Sequence, residues 1–419
     1  MRRVASNASW LALERVTRMA VGLLIGVWIA RYLGPAQYGQ LAYVIAFVAL
    51  FQTIVSLGID SLVVRELANR ISEPGAIVGT VLRLRVAAAA ICVATACMFM
   101  AVARPGDQLS LLLTVLISAS MLFQPADVVD LWFISESKSR GSVLARLAAL
   151  ALASAVKVVL LATEQPLWTF ATTQVLEAAF AAVALAIAYR QHPVGRPWSW
   201  SAGVARGLVK EGWPVLLSAL SIFVYMRIDQ LMLRNFSGES QLGLYSAMLP
   251  FSQALNFVAV TVCGSAAPYL VRLHAENPEL FERRVRQLFF VMFWSAALIA
   301  TTLSALSGPI VGLFLGPQYL EAGPMLAIHA FTNIAVFMGV AQVLYLTTTR
   351  RTRVFLMQSA AGAVVSAVAN LALVPRFGGQ GAATAAVLSY FVSGVLANSL
   401  VARPLFIMQI QSIWVPRVR

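Results

Sequence analysis

The sequence predicts an all-α membrane protein with 12 transmembrane helices in two pseudo-symmetric six-helix bundles. Three observations carry this expectation: the composition, the spacing of apolar runs, and the distribution of basic residues. Of the 419 residues, 60% are apolar and 11% charged, where a soluble chain has about 45–50% and about 25%. Such a chain cannot cover itself with polar surface in water. A membrane helix takes about 20 apolar residues, so twelve use roughly 240, close to the whole apolar inventory, and little is left for a soluble domain.

Apolar runs between charged or Pro/Gly loops place spans at 10–30, 38–58, 84–103, 109–134, 143–163, 167–189, 213–233, 244–268, 287–306, 325–347, 354–374 and 380–401. The net charge is +14, from 31 basic and 17 acidic side chains. In a membrane chain that excess first indicates positive-inside topology rather than nucleic acid binding. With the amino terminus inside, Arg31, Arg104, Arg234 and Arg376 fall in outer loops. Arg15, Arg18, Lys157 and Arg227 fall within spans, and the other 23 basic residues lie in inner loops, flanks and termini. A bias of 23 to 4 orients the chain with both termini cytoplasmic. The start, Met1-Arg2-Arg3, is followed by an apolar run without a small-residue cleavage pattern, so the first segment reads as a retained span. Cys92, Cys97 and Cys263 lie in apolar runs without the spacing of a disulfide framework or metal site.

Pairing span 1 with 7 through span 6 with 12, the starts differ by 203, 206, 203, 216, 211 and 213 residues. Loop residues repeat as well. Arg31 is followed by Gly39 and Arg234 by Gly243, while Arg83 and Arg85 precede span 3 as Arg284 and Arg286 precede span 9. Bilayer thickness alone would repeat span lengths but not loop residues. The expected lobes are 1–203 and 204–419. An even number of spans in each implies a pseudo-two-fold axis along the membrane normal, a transporter architecture with substrate handled between the halves. The longest inner connections, about 190–212 and 269–286, are basic and too short for an extramembrane catalytic domain.

Ionisable side chains inside a bilayer cost at least a few kcal/mol each and mark function unless they snorkel or pair. Counting 20 residues back from Arg31 reaches Leu11, so Glu14, Arg15 and Arg18 lie in the apolar slab, Arg18 roughly 10 Å from its inner edge. Glu14 and Arg18 share a helix face and can neutralise each other, with Arg15 snorkelling. The other reading is a cationic site whose planar guanidinium holds a phosphate through two parallel hydrogen bonds. Arg227 and Asp229, two apart in span 7, pair poorly with each other. Arg227 therefore contacts substrate or pairs across helices with Asp127 or Glu177. Lys157 either snorkels outward or binds substrate. Glu177, ten residues into span 6, is a protonated carboxyl, an ion site, or a neutral group bonded to a neighbouring helix. Asp127 and Asp130 form a cation site or anchor a loop near the inner interface.

The expected substrate-binding set is Arg15, Arg18, Lys157 and Arg227, and the expected ion-coupling set is Glu177, Asp229, Glu14 and Asp127. There is no Gly-rich phosphate loop ending in Lys-Ser/Thr, no His-Glu-x-x-His and no Gly-x-Ser-x-Gly, and His192, His274 and His329 are scattered. ATP hydrolysis by this chain is therefore excluded, no cofactor or metal is expected, and transport draws on an ion gradient, the membrane potential or the substrate's own gradient.

Five motifs occur in order: ARYLGPAQYG (30–39), VVRELANR (63–70), MRIDQLMLRNFSGESQLGLYSA (226–247), FLGPQYLEAGPML (314–326) and VPRFGGQGAATAAVLSY (374–390). Over about residues 5–405 the chain resembles the flippases of lipid-linked polysaccharide repeat units, in the multidrug/oligosaccharidyl-lipid/polysaccharide exporter superfamily. The resemblance implies a bilobed 12-helix bundle in a bacterial inner membrane. Its substrate would be a polyprenyl-diphosphate-linked oligosaccharide for O-antigen or lipopolysaccharide synthesis, moved to the periplasmic leaflet by alternating access of a cationic cavity. Arg18 and Arg227 fit that pattern best. Expected partners are the lipid-linked oligosaccharide, membrane lipid, a proton or sodium ion, and a glycan polymerase. The two additional carboxy-terminal spans of some relatives are lacking. The alternatives are a drug or cation exporter, expected to have an acidic cavity; a membrane-embedded glycan polymerase or ligase, expected to carry a large outer loop; and a scaffold without cavity charges.

Overall fold

The computed structural model describes residues 2–414 except 196 and 350, with side chains from Ser9 onward except at 352. Met1, the side chains of Arg2 and Arg3, and 415–419, which hold the two ends expected to be cytoplasmic, lie outside that description. The regular elements among the described residues are all helical. They are α1 (Arg2–Val55), α2 (Asp60–Asn69), α3 (Pro74–Ala103), α4 (Gln108–Ser118), α5 (Val128–Ser135), α6 (Arg140–Ala162), α7 (Leu167–Gln191) and α8 (Ala202–Gln253). Then follow α9 (Asn256–Glu276), α10 (Pro278–Ala305), α11 (Ser307–Phe314), α12 (Ala322–His329), α13 (Thr332–Thr348), α14 (Thr352–Phe391), α15 (Asn398–Val401) and α16 (Arg403–Trp414). Short 3-10 turns at Ala119–Leu122 and Gln124–Asp127 interrupt the expected fourth span.

Nine helical runs among the described residues are long and apolar enough to cross a membrane. The predicted spans overlie these runs, two each in Ser9–Asn69, Ala202–Glu276 and Arg353–Val401, and those at 143–163 and 287–306 overrun theirs by one residue. Beside an apolar core, large apolar side chains also face outward and several charged and amide groups lie inside. Leu400 is 90% exposed and Val102 76%, while Glu14, Arg85, Asp130, Asp229, His329, Gln342 and Asn398 are buried. Helices apolar on their outer faces with polar groups turned inward are stable only where lipid covers them, so this is a multi-pass membrane protein.

The doubled runs bend where a glycine leaves the helical region. Gly34 (φ 72°) and Gly238 (φ 86°) occupy the left-handed side of the map that other residues rarely adopt, and Pro35 opens the helix that follows Gly34 with its ring preset for a first turn. A β-carbon on Gly243 would stand 1.8 Å from the Pro35 carbonyl oxygen, and one on Gly39 would stand 1.9 Å from that of Glu239. The repeated Arg–Gly spacing thus encodes a backbone-to-backbone contact that admits no side chain.

The chain clusters into two compact units, Met1–Tyr32 with Tyr43–Leu220, and Leu33–Ala42 with Ser221–Arg419. The sequence repeat divides the chain at 203/204; packing divides it at Leu220 and assigns 33–42 to the second unit. Residues 202–220 join the first unit because the turn at Gly58 meets the Gly212 carbonyl and the Leu216 backbone, with no room for a β-carbon. The core of the first unit includes Ile59, Val63, Ile77, Val81, Phe133 and Leu208. That of the second includes Phe281, Phe289, Met292, Phe337 and Met338.

Within the second unit, Gln342, Gln358, Asn398 and Gln409 are all buried and close a ring of amides. Gln342 donates to Gln358 (2.7 Å), Gln358 to Asn398, and Asn398 back to Gln342 (2.5 Å). Gln409 accepts from Asn398 (2.8 Å) and donates to Gln342 (3.0 Å) and to the Gly394 carbonyl (3.1 Å). Gly394 sits in a π-turn, Val392–Leu396, whose widened backbone leaves a carbonyl open to such a donor.

Candidate functional site

Each unit contains a polar cluster. In the first, α1, α6 and α7 bring together the charged groups of three expected spans. Glu177 accepts from Arg18 (2.9 Å) and from Lys157 (3.0 Å). Arg18 also lies 3.5 Å from Glu14, one turn earlier, as their spacing predicts. Glu14 meets Arg146 at 3.4 Å, and Arg146 donates to buried Asp130. Charge alternates along this chain of contacts, so each carboxylate is offset by at least one cation. That is the arrangement under which ionised groups persist away from water.

These contacts revise several expectations. Glu177 is not isolated in the bilayer: two cations share it, and its partners are Arg18 and Lys157 rather than Arg227. Lys157 is held inward rather than snorkelling. Arg146, counted from the sequence among the inner-flank charges, is a network member with a side chain only 22% exposed. The acids of spans 1 and 4 needed a cation, and that need was its only sequence signal. Arg15 is exposed and makes no ion pair among the described residues. Asp127 makes no hydrogen bond or ion pair among the described residues, and lies within electrostatic reach of Arg146 and Arg85.

Beside the network is a cavity of about 350 Å³. Arg18, Arg146, Asp127 and Glu177 reach its wall, as do Gln52, Gln124 and Gln174, Ser120 and the ring of Phe123, and Ala149, Ala178, Ala181 and Ala182 leave the space open. The three glutamines went unremarked in the sequence, where an uncharged amide raises no alarm. An amide within a span nonetheless gains from a hydrogen-bond partner, though less than a charge does.

In the second unit, Asp229 is buried and accepts from the Tyr245 hydroxyl and from the Gln230 backbone amide (2.8 Å). Arg227 makes no ion pair among the described residues. It lies within electrostatic reach of Tyr38, Asp229, Tyr245 and Tyr390, and the Tyr390 ring packs edge-on against Tyr225 at 5.3 Å. The residue spacing predicts poor pairing between Arg227 and Asp229, and they form no ion pair with each other. Further along, the imidazole of buried His329 meets the Ser252 hydroxyl at 2.9 Å. Arg234, expected as an outer-loop charge, is buried and holds Glu239 at 2.6 Å across the bend at Gly238.

Comparison with known proteins places these features in a family. Residues 4–274 match the family model described as polysaccharide biosynthesis protein. A stretch of 115 residues is 27% identical to the uncharacterized membrane protein EpsK of Bacillus subtilis (strain 168), covering 27% of this chain and 23% of that one. The match thus spans under a quarter of that relative's length. In fold, the chain resembles an inward-facing multidrug resistance MATE family transporter of the MOP superfamily, with TM-score 0.76 and 14% identity over 96% of this chain and 99% of that one. It also resembles the lipid II flippase MurJ in an inward closed conformation, with TM-score 0.73 and 12% identity over 96% and 90%. At such identities the likeness is one of fold. With a family model covering more than half of its length, the chain belongs to the polysaccharide biosynthesis protein family.

Proposed function

We propose that this protein moves a polyprenyl-diphosphate-linked oligosaccharide from the cytoplasmic to the periplasmic leaflet of a bacterial inner membrane, by alternating access, and that it performs no covalent chemistry. Within that reading the glycan is an O-antigen or related surface polysaccharide. The observation that carries it is Arg227, a guanidinium in a tyrosine-lined part of a membrane-spanning unit without an acidic partner at ion-pair distance among the described residues. A planar cation kept free of carboxylates suits a multivalent phosphate, which accepts two parallel hydrogen bonds from it. Arg18 and Lys157 have their charge offset by Glu14 and Glu177, and act in this reading as secondary contacts, with exposed Arg15 at the membrane surface. Coupling to a proton or sodium gradient falls to Asp229, which has no cation at ion-pair distance among the described residues, ahead of Glu177, Glu14 and Asp127.

The test is export in cells and in reconstituted vesicles. Arg227→Ala abolishes transfer of the lipid-linked oligosaccharide while leaving membrane abundance intact, and full transfer by that variant overturns the assignment. A second reading, a drug or cation exporter, draws on the surplus of acids in the first unit, where Glu14, Asp127, Asp130 and Glu177 face Arg18, Arg146 and Lys157. Efflux of a fluorescent organic cation without oligosaccharide transfer would select it.

A further inference from the structure

The cavity of the first unit has a composition that a diphosphate does not explain. Its wall carries two guanidinium groups, Arg18 and Arg146, against two carboxylates, Asp127 and Glu177, and Glu14, Asp130 and Lys157 behind them leave no excess of positive charge. A ligand with two negative phosphates gains little from such a wall, since every guanidinium that turned to it would leave a carboxylate behind. The uncharged polar groups are the distinctive part. Gln174 makes no hydrogen bond among the described residues, and neither does Asp127. Gln52 donates only to Ser120, at 3.4 Å, and Gln124 only to the Gln52 carbonyl, at 3.3 Å, both at the long end of the range. These side chains therefore retain unused donors and acceptors at the wall of an open space.

We infer that this cavity is a subsite for an uncharged sugar ring of the lipid-linked headgroup, read by Gln52, Gln124, Gln174 and Asp127 over the Phe123 ring. A pyranose presents vicinal hydroxyls around its edge, each both donor and acceptor. Planar amide and carboxylate groups match such pairs, one oxygen accepting while an amide nitrogen donates. Its two faces carry C–H groups that pack on an aromatic ring, and Phe123 supplies one at the cavity. The volume of about 350 Å³ is at the small end of ligand pockets, which run from about 300 Å³, so it admits a sugar ring and excludes a whole repeat unit. The small side chains of Ala149, Ala178, Ala181 and Ala182 at the wall leave room for that ring to enter. The inference rests on the flippase reading, and it assigns the first unit a part in reading the sugar of the headgroup. Because the wall is charge-balanced, a headgroup with a carboxylate on that ring is disfavoured.

The test uses the full chain in lipid nanodiscs and two probes: undecaprenyl diphosphate, and the lipid-linked oligosaccharide fraction extracted from membranes of the cells that make the protein. Wild type is expected to bind both, with the oligosaccharide lipid tighter by tenfold or more. Gln52→Leu/Gln174→Leu, which keeps side-chain volume and favours a membrane setting, is expected to lose that tenfold preference and keep its affinity for the bare diphosphate. Arg227→Ala weakens both. A double variant that retains the preference, or that loses both probes equally while its unfolding temperature matches wild type, overturns the subsite and leaves the flippase reading standing. Wild type that binds neither probe overturns both. If the double variant unfolds, protection of Ala178→Cys from maleimide, in a background with the three native cysteines replaced, decides the matter. Protection by the oligosaccharide lipid alone supports the subsite; equal protection by both probes, or by neither, overturns it.

Discussion

Arg18 and Arg227 carry the same side chain in opposite circumstances. Arg18 sits between Glu14 and Glu177, so removing it takes one cation from each and leaves Glu14 to Arg146 and Glu177 to Lys157; breaking a buried pair costs about 3–5 kcal/mol, and less here, where both carboxylates keep a partner and Arg18 is open. Arg18→Ala is therefore expected to lower the unfolding temperature, and Glu177→Gln in the same chain to restore part of it; additive losses in that double-mutant cycle would show that the two do not interact. Arg227 offsets no carboxylate at ion-pair distance among the described residues, so Arg227→Ala is expected to leave stability within about 0.5 kcal/mol, the range of substitutions that break no pair, while export is lost. Arg227→Lys rescues export in part, because an ammonium lacks the bidentate fork. Asp229 is read through transport: Asp229→Asn keeps the hydrogen bond from Tyr245 and is expected to abolish any proton or sodium dependence in vesicles, and a wild-type ion response in that variant removes it from coupling. The sequence made Glu14–Arg18 legible, since four residues on a helix is a short-range relation. It did not show that Lys157 and Arg18 share Glu177, because that depends on how three helices pack.

At the scale of the element, two devices shape the long runs. The bends at Gly34 and Gly238 bring Gly39 and Gly243 against backbone carbonyls at distances no β-carbon tolerates. Gly243→Ala is expected to cost about 1–3 kcal/mol, the usual range for overpacking a tight site, read as reduced abundance and a lower unfolding temperature. An unchanged temperature would mean that the 33–42 segment slides away freely. The amide ring around the π-turn is satisfied on every oxygen, which makes partial removal worse than full removal. Asn398→Leu orphans the Gln358 amide and the Gln409 oxygen at about 1–3 kcal/mol for each group left unsatisfied. Replacing all four amides with apolar residues is expected to be less harmful than this one change. The glycine spacing was visible in the sequence as a repeat, but the reason for it was not, since the contact joins residues about 200 positions apart.

For the whole molecule, topology follows from charge. Arg85 is buried against Asp60 and the Ser56 carbonyl, and Arg146 and Arg234 are held by acids, so these three serve packing. Setting them aside leaves 21 expected inner against 3 expected outer basic residues, so the charge bias still favours cytoplasmic termini. Reporter fusions after Arg104, Glu164 and Glu321 are expected to read periplasmic. Two of the three reading cytoplasmic would reverse or break the arrangement.

Composition and hydropathy by themselves determined that the chain is helical and lives in lipid, and where its spans fall, because the bilayer demands long apolar helices whatever their neighbours are. The charge bias and the repeated spacing were equally one-dimensional. Tertiary structure alone decided which unit takes residues 33–42, that Arg146 is a network member, that Glu177 is shared while Arg227 has no acid at ion-pair distance, and that three unremarked glutamines border a cavity. Each of these depends on which faces of separate helices meet. A side chain's partners across helices are set by rotation and crossing angle, quantities that no local window of sequence contains.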